Sequence, residues 1–564
     1  MARSRLASTI VGVALAFLAT NASGPGMSAQ APQQAQEAEA QQPVSARIDK
    51  IFERWDRPGS PGCAVGVAQQ GRVVYVQGYG MANLEYGVRN RPDTIFESGS
   101  VAKQFTAAAV ALLVQDGKLA LQDSVRKYVP EFPDFGTPIT IQHLLNHTSG
   151  LRSQWPMLAI AGRPATQAVH TVDEILELVS GYTELNFKPG DEYLYNNTAF
   201  TLLGVIVSRV SGKSLNAFTQ ERLFIPLGMR RTQWREDFTA IVEGRATAYR
   251  MGAGGQFRTL MPFTNITGNG GLLSTVGDWL IWNENLDNPR VGGKAMVDQL
   301  QTRGRLNDGF VNEYAQGITV TDYRGVHEIS HGGSTAGYQT FLARWPGQRL
   351  SVAVMCNTTG TNPAGYAHQV ADLFLGDKLA AQPSVSAIEV PVDNLKNVAG
   401  VYREMKTDAI FRMTYDEKAK GIRAAGTALV PTGPNVFIAL QGGRTFAVSE
   451  PAAGRPRRIT ETDGRSRPRV WDAQPAFAPG AQQLAEFAGE YVCPELQVTY
   501  TAYVEGNALK FRFRPAQRLT LTPAFPDGFE EEGNTIRFTR TPAGRVDGFR
   551  VYAGRVWHLR FVRQ

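Results

Sequence analysis

Apolar residues recur at the spacing of a helix face over FESGSVAKQFTAAAVALLVQDGKL, residues 96–119. With Gly117 as a stop signal, this pattern predicts a buried amphipathic helix. Ser100 and Lys103 stand three residues apart at its beginning, so we expect both side chains on one face of the first turn. Burial and the helix dipole both disfavour a charged lysine there. A neutral lysine is a base for a serine nucleophile, so this pair is the first candidate for chemistry.

Runs of β-branched and aromatic residues predict strands on either side of the helical region. Residues 63–80, CAVGVAQQGRVVYVQGYG, contain two predicted strands, and three more follow in VHEISHGG, AGYQTFLARWPG and RLSVAVMCN. The segment from Ser98 to about Trp282 is mainly helical in pattern. This order predicts an α+β fold, in which an antiparallel sheet made from both ends of the domain carries helices packed on it.

The pattern changes to short alternating strands after the linker AAQPSVSAIEVPVD. The motif LKNVAGVY at Leu395 recurs as LAEFAGEY at Leu484, 89 positions later. Each copy is followed by period-two segments such as LKFRFR at Leu509. We expect strands and turns throughout this region, arranged as two small C-terminal β-barrel domains in tandem.

The length of 564 residues exceeds the roughly 250–300 at which one hydrophobic core stops growing, so several domains are expected. A hydrophobic content of 43% excludes disorder of the whole chain. The predicted segments are a signal peptide, a disordered linker, the α+β domain and the two barrels, at residues 1–31, 32–44, 45–380, 392–475 and 480–564.

The first 31 residues have the layout of a secretory signal. Two arginines precede an apolar run over residues 6–18, which is too short for a confident membrane span, and small residues follow. Cleavage between about Ala22 and Ala31 fits the pattern, and an uncleaved anchor is the alternative. We therefore expect a secreted or periplasmic protein without stable membrane insertion.

The net charge of +7 is spread over arginines without a nucleic-acid-binding motif, so no nucleic acid partner is expected. The densest basic run, GRPRRITETDGRSRPR, favours a solvated loop over a contact for acidic polymer or anionic lipid. Three cysteines are too few for a disulfide scaffold. Cys63 opens one predicted strand and Cys356 closes another, which leaves a single bridge between them open.

Two further motifs contain groups that can assist a serine nucleophile. FKPGDEYLYNN places Tyr195 and Asn197 before a predicted helix. A tyrosine hydroxyl can pass a proton to a leaving group, and an asparagine amide can bind a lysine or a carbonyl, although an N-cap role fits equally well. SHGGSTAGYQ puts His331, Gly333 and Ser334 on a strand edge. Glycines there let a ligand lie against the backbone, with an N–H directed at an oxyanion.

Together, and in this order, these three motifs resemble the serine β-lactamase and penicillin-recognising superfamily, specifically its class C β-lactamase, D-aminopeptidase and esterase branch. The connecting segments NHTSGL, LNFKPGDEYLYNN, PLGMRRT and GNGGLLSTVGDW are similar to that branch as well. The resemblance covers about residues 44–379. It implies a β-lactamase/transpeptidase-like fold and acyl-enzyme chemistry.

The resemblance also implies a role for each motif residue. Ser100 would be the acylated nucleophile and Lys103 its base. Tyr195 would carry a proton to the leaving group and later activate water. Asn197 would orient Lys103 and the substrate amide, and the backbone N–H groups of Ser100 and Ser334 would form the oxyanion hole.

One departure from the class C pattern bears on the substrate. Those enzymes carry Lys-Thr-Gly where this chain has His331-Gly332-Gly333, and their lysine and threonine help to hold a substrate carboxylate. A mostly neutral histidine and a glycine should bind a carboxylate more weakly, so efficient β-lactam hydrolysis is not expected. His-x-Gly at this place, together with two C-terminal barrels, is similar to D-aminopeptidases.

These resemblances imply a D-amino-acid-specific serine peptidase, of the D-aminopeptidase or D-Ala-D-Ala carboxypeptidase type. A broad-specificity esterase, a β-lactamase of the same fold and a non-catalytic peptidoglycan-binding protein are the alternatives. A metal hydrolase using His143 and His147 is less favoured, since no HExxH motif and no third ligand is evident. The expected substrate is a small peptide, amide or ester, with peptidoglycan fragments as a further candidate. No metal or organic cofactor is needed, and a homodimer stays open.

Overall fold

A computed structural model describes residues 42–381, 385–440, 442–452, 455–514 and 517–564 of the chain. The predicted signal peptide and most of the predicted linker lie outside these residues. No helix in the described part is both long and apolar enough to cross a bilayer.

The strands of the α+β domain form one large sheet and several small ones. They are β1 Cys63–Gln69, β2 Arg72–Tyr79, β3 Met81–Asn83, β4 Val88–Arg89, β5 Phe96–Glu97, β6 Gln233–Trp234, β7 Tyr249–Met251, β8 Phe257–Thr259, β9 Leu272–Ser274, β10 Thr319–Tyr323, β11 Val326–Thr335, β12 Tyr338–Trp345 and β13 Leu350–Cys356. The large sheet has six antiparallel strands in the order β10-β11-β12-β13-β1-β2. The predicted antiparallel sheet from both ends of the domain is thus confirmed.

Strand β1 joins the beginning of this domain to its end. Cys63 in β1 faces Cys356 in β13, and a disulfide connects them across 293 positions of sequence. The bridge that the sequence left open is therefore formed in the structure. Both cysteines are buried, as are all the residues of β13.

The described residues contain helices of the α+β domain and a short helix at the beginning of each barrel. They are α1 Val44–Phe52, α2 Lys103–Gln115, α3 Ile141–Leu145, α4 Gln154–Ile160, α5 Val172–Ser180, α6 Asn197–Ser211, α7 Leu215–Thr219, α8 Ile225–Leu227, α9 Val276–Asp287, α10 Gly293–Gln301, α11 Pro363–Leu375, α12 Val392–Val398 and α13 Ala481–Ala485. Helices α9 and α11 contact β13 from the sheet's faces.

Helix α2 departs from its prediction in two respects. The α-helix begins at Lys103, after a 3₁₀ turn over Gly99–Ala102 that carries Ser100. Every residue from Lys103 to Leu113 is buried, so the helix is enclosed rather than amphipathic. Its alanines explain this, because small side chains let α6 and α10 pack closely against it.

Two closed eight-stranded barrels follow, as predicted. The strands of the first are β14 Gly400–Arg403, β15 Ile410–Asp416, β16 Gly421–Ala424, β17 Thr427–Gly433, β18 Val436–Ala439, β19 Thr445–Ser449, β20 Arg458–Thr462 and β21 Arg469–Ala473. The strands of the second are β22 Gly489–Cys493, β23 Val498–Glu505, β24 Ala508–Arg514, β25 Gln517–Phe525, β26 Gly528–Glu531, β27 Asn534–Arg540, β28 Val546–Tyr552 and β29 Leu559–Arg563.

The repeated motif begins in a short helix and ends in the first strand of each barrel, so the prediction of strands and turns throughout was wrong for its first part. Leu395 and Val398 are buried in the first copy, and Leu484 and Phe487 in the second. Each pair is three positions apart, which is a helical rather than a strand spacing. Each helix covers one barrel and leads into its first strand.

The two barrels differ in how their apolar cores connect. Buried apolar residues of the second barrel form one continuous cluster with the core of the α+β domain. The first barrel has a separate cluster of its own. The second barrel is therefore packed as an extension of the α+β domain.

Candidate active site

Ser100 and Lys103 meet at the base of a cleft. Lys103 is fully buried at the beginning of α2. Its Nζ lies 3.1 Å from Ser100 Oγ, 2.9 Å from Asn197 Oδ1 and 2.7 Å from the carbonyl oxygen of Asn269. A neutral amine has two N–H donors and one lone pair. Because the two carbonyl-type oxygens can take both donors, the lone pair is left to accept the Ser100 hydroxyl proton.

The electrostatic environment favours this neutral form. Burial, and then the positive charge of Arg555, lower the pKa of Lys103 well below its ordinary value. Within the described residues, Lys103 contacts a hydroxyl, an amide and a backbone carbonyl but forms no ion pair. The cost of burying this lysine thus produces a usable base.

Asn196 and Asn197 are neighbours with different contacts: one caps a helix and the other binds Lys103. Asn196 is the N-cap of α6, since its side chain accepts a hydrogen bond from the Ala199 N–H at 3.0 Å. Asn197 is the first residue of the helix, and its amide oxygen reaches Lys103. The capping interpretation and the lysine-binding interpretation therefore each describe one of them.

Tyr195 is close to two basic side chains. Lys103 Nζ lies 4.8 Å from the centre of its ring, and the guanidinium carbon of Arg555 lies 4.7 Å from it. The hydroxyl is buried and, in the described part of the chain, has no hydrogen bond of normal geometry. Burial raises the pKa of Tyr195, while Ser100 and the charge of Arg555 oppose part of that rise. The resting side chain is therefore a protonated phenol, which still carries the proton that a leaving group would need.

Two glycines allow strand β11 to lie directly against the turn that carries Ser100. A Cβ atom on Gly99, where φ is +52°, would lie 2.5 Å from the Ser334 nitrogen. A Cβ atom on Gly333 would lie 2.0 Å from the Ser98 carbonyl oxygen. Neither position has room for a side chain. The Ser334 N–H is thus next to the Ser100 turn, where the sequence predicted an oxyanion hole.

His331 lies in the same strand and is neutral. Burial, and then the nearby amine of Lys103, lower the pKa of His331 to about 3. Its Nδ1 lies 2.6 Å from the Gly332 carbonyl oxygen, so Nδ1 carries the proton and Nε2 accepts from the Tyr314 hydroxyl at 3.1 Å. This residue therefore contributes no positive charge to the cleft.

The two histidines considered for a metal site have local contacts instead. His143 completes a capping box with Thr140 at the start of α3. His147 Nδ1 accepts a hydrogen bond from the Asn196 N–H at 3.1 Å. Among the residues that the structure describes, no group of three His, Cys, Asp or Glu side chains is placed to hold a metal ion.

Sequence reasoning missed Arg555. It lies in the hairpin between β28 and β29 of the second barrel, and it lines a cleft of about 770 Å³ together with Ser100, Tyr195 and His331. No local motif marks this arginine, because a basic residue in a hairpin is ordinary. Only the packing of the second barrel on the α+β domain brings it to the site.

A comparison with protein families identifies the α+β domain. The Beta-lactamase family matches residues 48–375, more than half of the chain and all the site residues except Arg555. The chain belongs to the beta-lactamase family. Membership of this beta-lactamase family confirms the resemblance inferred from the three motifs.

Individual relatives in the family agree with this assignment. The chain is 29% identical over 448 residues to a D-aminopeptidase of Gluconobacter oxydans strain 621H, covering 78% of this chain and 80% of the relative. It is 27% identical over 332 residues to a D-aminopeptidase of Brucella anthropi, covering 58% of this chain and 61% of the relative. The octameric penicillin-binding protein homologue from Pyrococcus abyssi has a similar structure, with a TM-score of 0.54 and 25% identity, covering 76% of this chain and 99% of that one. The beta-lactamase family and these relatives identify a serine hydrolase.

Proposed function

We propose that the protein is a D-stereospecific serine peptidase or amidase that works through an acyl-enzyme on Ser100. The observation that carries the proposal is the contact of 3.1 Å between Lys103 Nζ and Ser100 Oγ. The D-aminopeptidases of Gluconobacter oxydans and Brucella anthropi, to which the chain is similar, support D-stereochemistry.

Acylation uses Lys103 as a base and Tyr195 as an acid. Ser100 Oγ attacks the substrate carbonyl carbon while its proton moves to Lys103 Nζ. The backbone N–H groups of Ser100 and Ser334 stabilise the oxyanion. When the C–N bond breaks, the leaving nitrogen takes the proton of the Tyr195 hydroxyl, which burial keeps protonated until that moment.

Deacylation returns the protons to their starting positions. The Tyr195 phenolate takes a proton from water, and the hydroxide so formed attacks the acyl carbon. Lys103 then returns its proton to Ser100 Oγ as the ester bond breaks. The positive charges of protonated Lys103 and of Arg555, close to the same ring, favour the transient phenolate.

The completeness of this set supports an active enzyme over a non-catalytic peptidoglycan-binding protein. Loss of catalysis would be expected to appear as a missing or displaced Ser100, Lys103 or Tyr195. Lys103 is instead oriented by Asn197 and by the Asn269 carbonyl oxygen, with its nitrogen at hydrogen-bond distance from Ser100. A binding protein would not need this costly buried amine.

The test is p-nitroaniline release from the D- and L-forms of alanine p-nitroanilide and of its N-acetyl derivative. We expect turnover of a D-form only, lost in Ser100→Ala and retained in Ser466→Ala, which alters an exposed serine of the first barrel. Removing a nucleophile typically costs a factor of about 10⁶ in kcat. Equal turnover of D- and L-forms would contradict the D-stereospecificity, and turnover that persists in Ser100→Ala would contradict the nucleophile.

Two further substrates distinguish the alternatives within the fold. A p-nitrophenyl ester turned over without any amide hydrolysis would indicate an esterase. Rapid hydrolysis of a chromogenic cephalosporin would indicate a β-lactamase. It would contradict the weak binding of a β-lactam carboxylate that we expect from neutral His331 in strand β11. Binding of peptidoglycan fragments without turnover of any substrate would favour the non-catalytic protein.

We further propose that the protein is exported to the periplasm or secreted. The Cys63–Cys356 disulfide supports this, because such bonds persist mainly in oxidising compartments. Cell fractionation with thiol alkylation provides the test. Reduced cysteines on a cytoplasmic protein would contradict the proposal.

Assembly into a homo-oligomer is also proposed, on the single ground that the Pyrococcus abyssi homologue is octameric. Light scattering on the purified protein gives the mass in solution. A monomer at micromolar concentration would contradict it.

A further inference from the structure

The cleft contains a cation that no carboxylate of the described residues neutralises. Among the described residues that line the cleft, Glu97 is the one with a carboxylate. It already forms ion pairs with Arg235 at 3.1 Å and with Arg245 at 3.3 Å. Arg555 contacts the ring of Tyr195, and within the described residues it forms no ion pair. Because burial shifts Lys103 towards its neutral form, Arg555 provides the uncompensated positive charge among the described residues that line this cleft.

Backbone hydrogen bonds hold Arg555 in place. Its carbonyl oxygen accepts from the Ser153 N–H at 3.3 Å and from Asn186 Nδ2 at 3.1 Å. The N–H of Trp557 donates to Asn186 Oδ1 at 2.8 Å, and the Trp557 ring packs on Phe187 with 5.4 Å between ring centres. The hairpin is thus bound to the α+β domain at Arg555 itself and at Trp557. Because these contacts fix the backbone at Arg555, a ligand can meet its guanidinium without first ordering the hairpin.

The position of Arg555 relative to Tyr195 indicates which part of a substrate it meets. In the proposed mechanism, the Tyr195 hydroxyl protonates the leaving nitrogen. The guanidinium carbon lies 4.7 Å from the centre of the same ring. Groups attached to the leaving nitrogen are therefore within reach of the guanidinium. Strand β11 lines the cleft with neutral His331, two glycines, Ser334 and Thr335, none of which carries a charge.

We propose that Arg555 binds a free carboxylate on the leaving group, so that the preferred substrates are peptides ending in an amino acid with a free C-terminal carboxylate. The assignment to the leaving side rests on the proposed function of Tyr195. An arginine fork matches a carboxylate in shape and charge. The same charge repels a free ammonium group, which disfavours substrates that present one at this position.

Binding to an acylation-deficient protein tests this inference without requiring turnover. Isothermal titration of the Ser100→Ala protein would compare N-acetyl-D-alanyl-D-alanine with its C-terminal amide, which lacks the charge. We expect the acid to bind about 10–100-fold more tightly, as for one charge-assisted contact. Adding Arg555→Gln should remove this ratio, and adding Arg560→Gln should keep it, because Arg560 is an exposed arginine of the adjacent strand β29.

The other outcomes overturn the inference in distinguishable ways. Equal binding of acid and amide, absence of binding by both, or a ratio that survives Arg555→Gln would each overturn it. N-succinyl-D-alaninamide carries its carboxylate on the acyl side. If it bound more tightly than N-acetyl-D-alanyl-D-alanine, the assignment to the leaving group would be overturned. An acid preference that depends on Arg555, found in a protein whose wild type hydrolyses no D-peptide, would support this inference and contradict the proposed function.

Discussion

The two barrels have the same architecture but are attached to the molecule by different kinds of contact. Each has eight strands and begins with a short helix. In each, a buried tyrosine hydroxyl donates to a backbone carbonyl four positions earlier, Tyr402 to Val398 and Tyr491 to Phe487, both at 2.8 Å. These equivalent bonds support the duplication inferred from the sequence repeat. The difference between the copies therefore lies in their surfaces.

The second barrel is attached by buried contacts. The guanidinium of Arg152 in the α+β domain is fully buried and pairs with Glu495, whose side chain is 4% exposed. The Tyr500 hydroxyl donates to the Ile160 carbonyl oxygen at 2.7 Å. The first barrel contacts the α+β domain through charged pairs nearer the surface, Lys406 with Glu192 among them.

This difference indicates which of the two barrels can position a side chain in the active site. A side chain that acts in a cleft has to be held within about 0.5 Å of its working position. Buried contacts hold the second barrel in that way, and that barrel supplies Arg555. Exposed ion pairs are worth only about 0–1 kcal/mol, so they position the first barrel less firmly.

Removing a buried cation should have the largest effect. Arg152→Met leaves Glu495 as a buried charge without its main partner, which typically costs about 3–5 kcal/mol. Lys406→Met makes the matched change at the first barrel, where we expect a loss of about 0–1 kcal/mol. Urea unfolding followed by tryptophan fluorescence measures both. Similar losses for the two variants would remove the distinction between the barrels.

The contact between the barrels should respond to acid. Burial would raise the pKa of Asp408, but hydrogen bonds from His558, Arg537 and Arg403 outweigh it and hold that pKa well below its ordinary value. The ionised Asp408 carboxylate contributes its full amount to the free energy of unfolding above the pKa of about 3.9 that it has in the unfolded chain. That contribution is lost as the pH falls through the lower pKa of the folded state. Asp408→Asn should therefore cost about 1.5–3 kcal/mol at pH 7 and lose less stability on further acidification.

Urea midpoints at pH 7 and pH 3 measure this effect. Asp547→Asn, an exposed position of the second barrel, is the control and should follow the wild type. A wild-type acid sensitivity that Asp408→Asn shares in full would show that another group is responsible.

A single hydrogen bond between the second barrel and the α+β domain can be removed to test how that barrel is attached. Tyr500→Phe removes the donor to the Ile160 carbonyl oxygen and should cost about 0.5–1.5 kcal/mol. The hydroxyl of Tyr503, on the same strand, is buried without a hydrogen-bond partner among the described residues. Tyr503→Phe should therefore be neutral or slightly stabilising in the same urea measurement. The reverse ranking would mean that the Tyr500 contact does not stabilise the attachment.

The smallest expected effect is on the pH profile of catalysis. The charge of Arg555 is the second contribution, after burial, that lowers the pKa of Lys103. In Arg555→Gln that pKa should rise, so the acidic limb of kcat/KM should move to higher pH. Arg560→Gln is the control. An unchanged limb in Arg555→Gln would mean that the charge does not reach the base.

Local patterns were sufficient to choose candidate residues of the α+β domain that the structure places around one cleft. The Ser100–Lys103 spacing, the Tyr195 motif and the glycines of β11 each fit within a few residues of sequence, and the structure brings them together. The barrels were predictable because a repeat is visible in sequence. The short helices at their heads were missed, although Leu395 and Val398 already have helical spacing.

Long-range pairing explains what could not be predicted. Arg152 and Glu495 are 343 positions apart, and neither lies in a motif that indicates a partner. Arg555 likewise depends on how one domain packs on another. Burial of a charge and the meeting of distant loops follow from tertiary structure, which hydrophobic periodicity does not describe.

The pairing of β1 with β13 sets an order of events during synthesis. Strand β1 leaves the ribosome early, yet its neighbour in the sheet contains Cys356, 293 positions after Cys63. The Ser100–Lys103 pair is therefore made long before the strands that enclose it, and before the hairpin that carries Arg555. A nascent chain therefore has its nucleophile before it has the strands and the hairpin that complete the lining of the cleft.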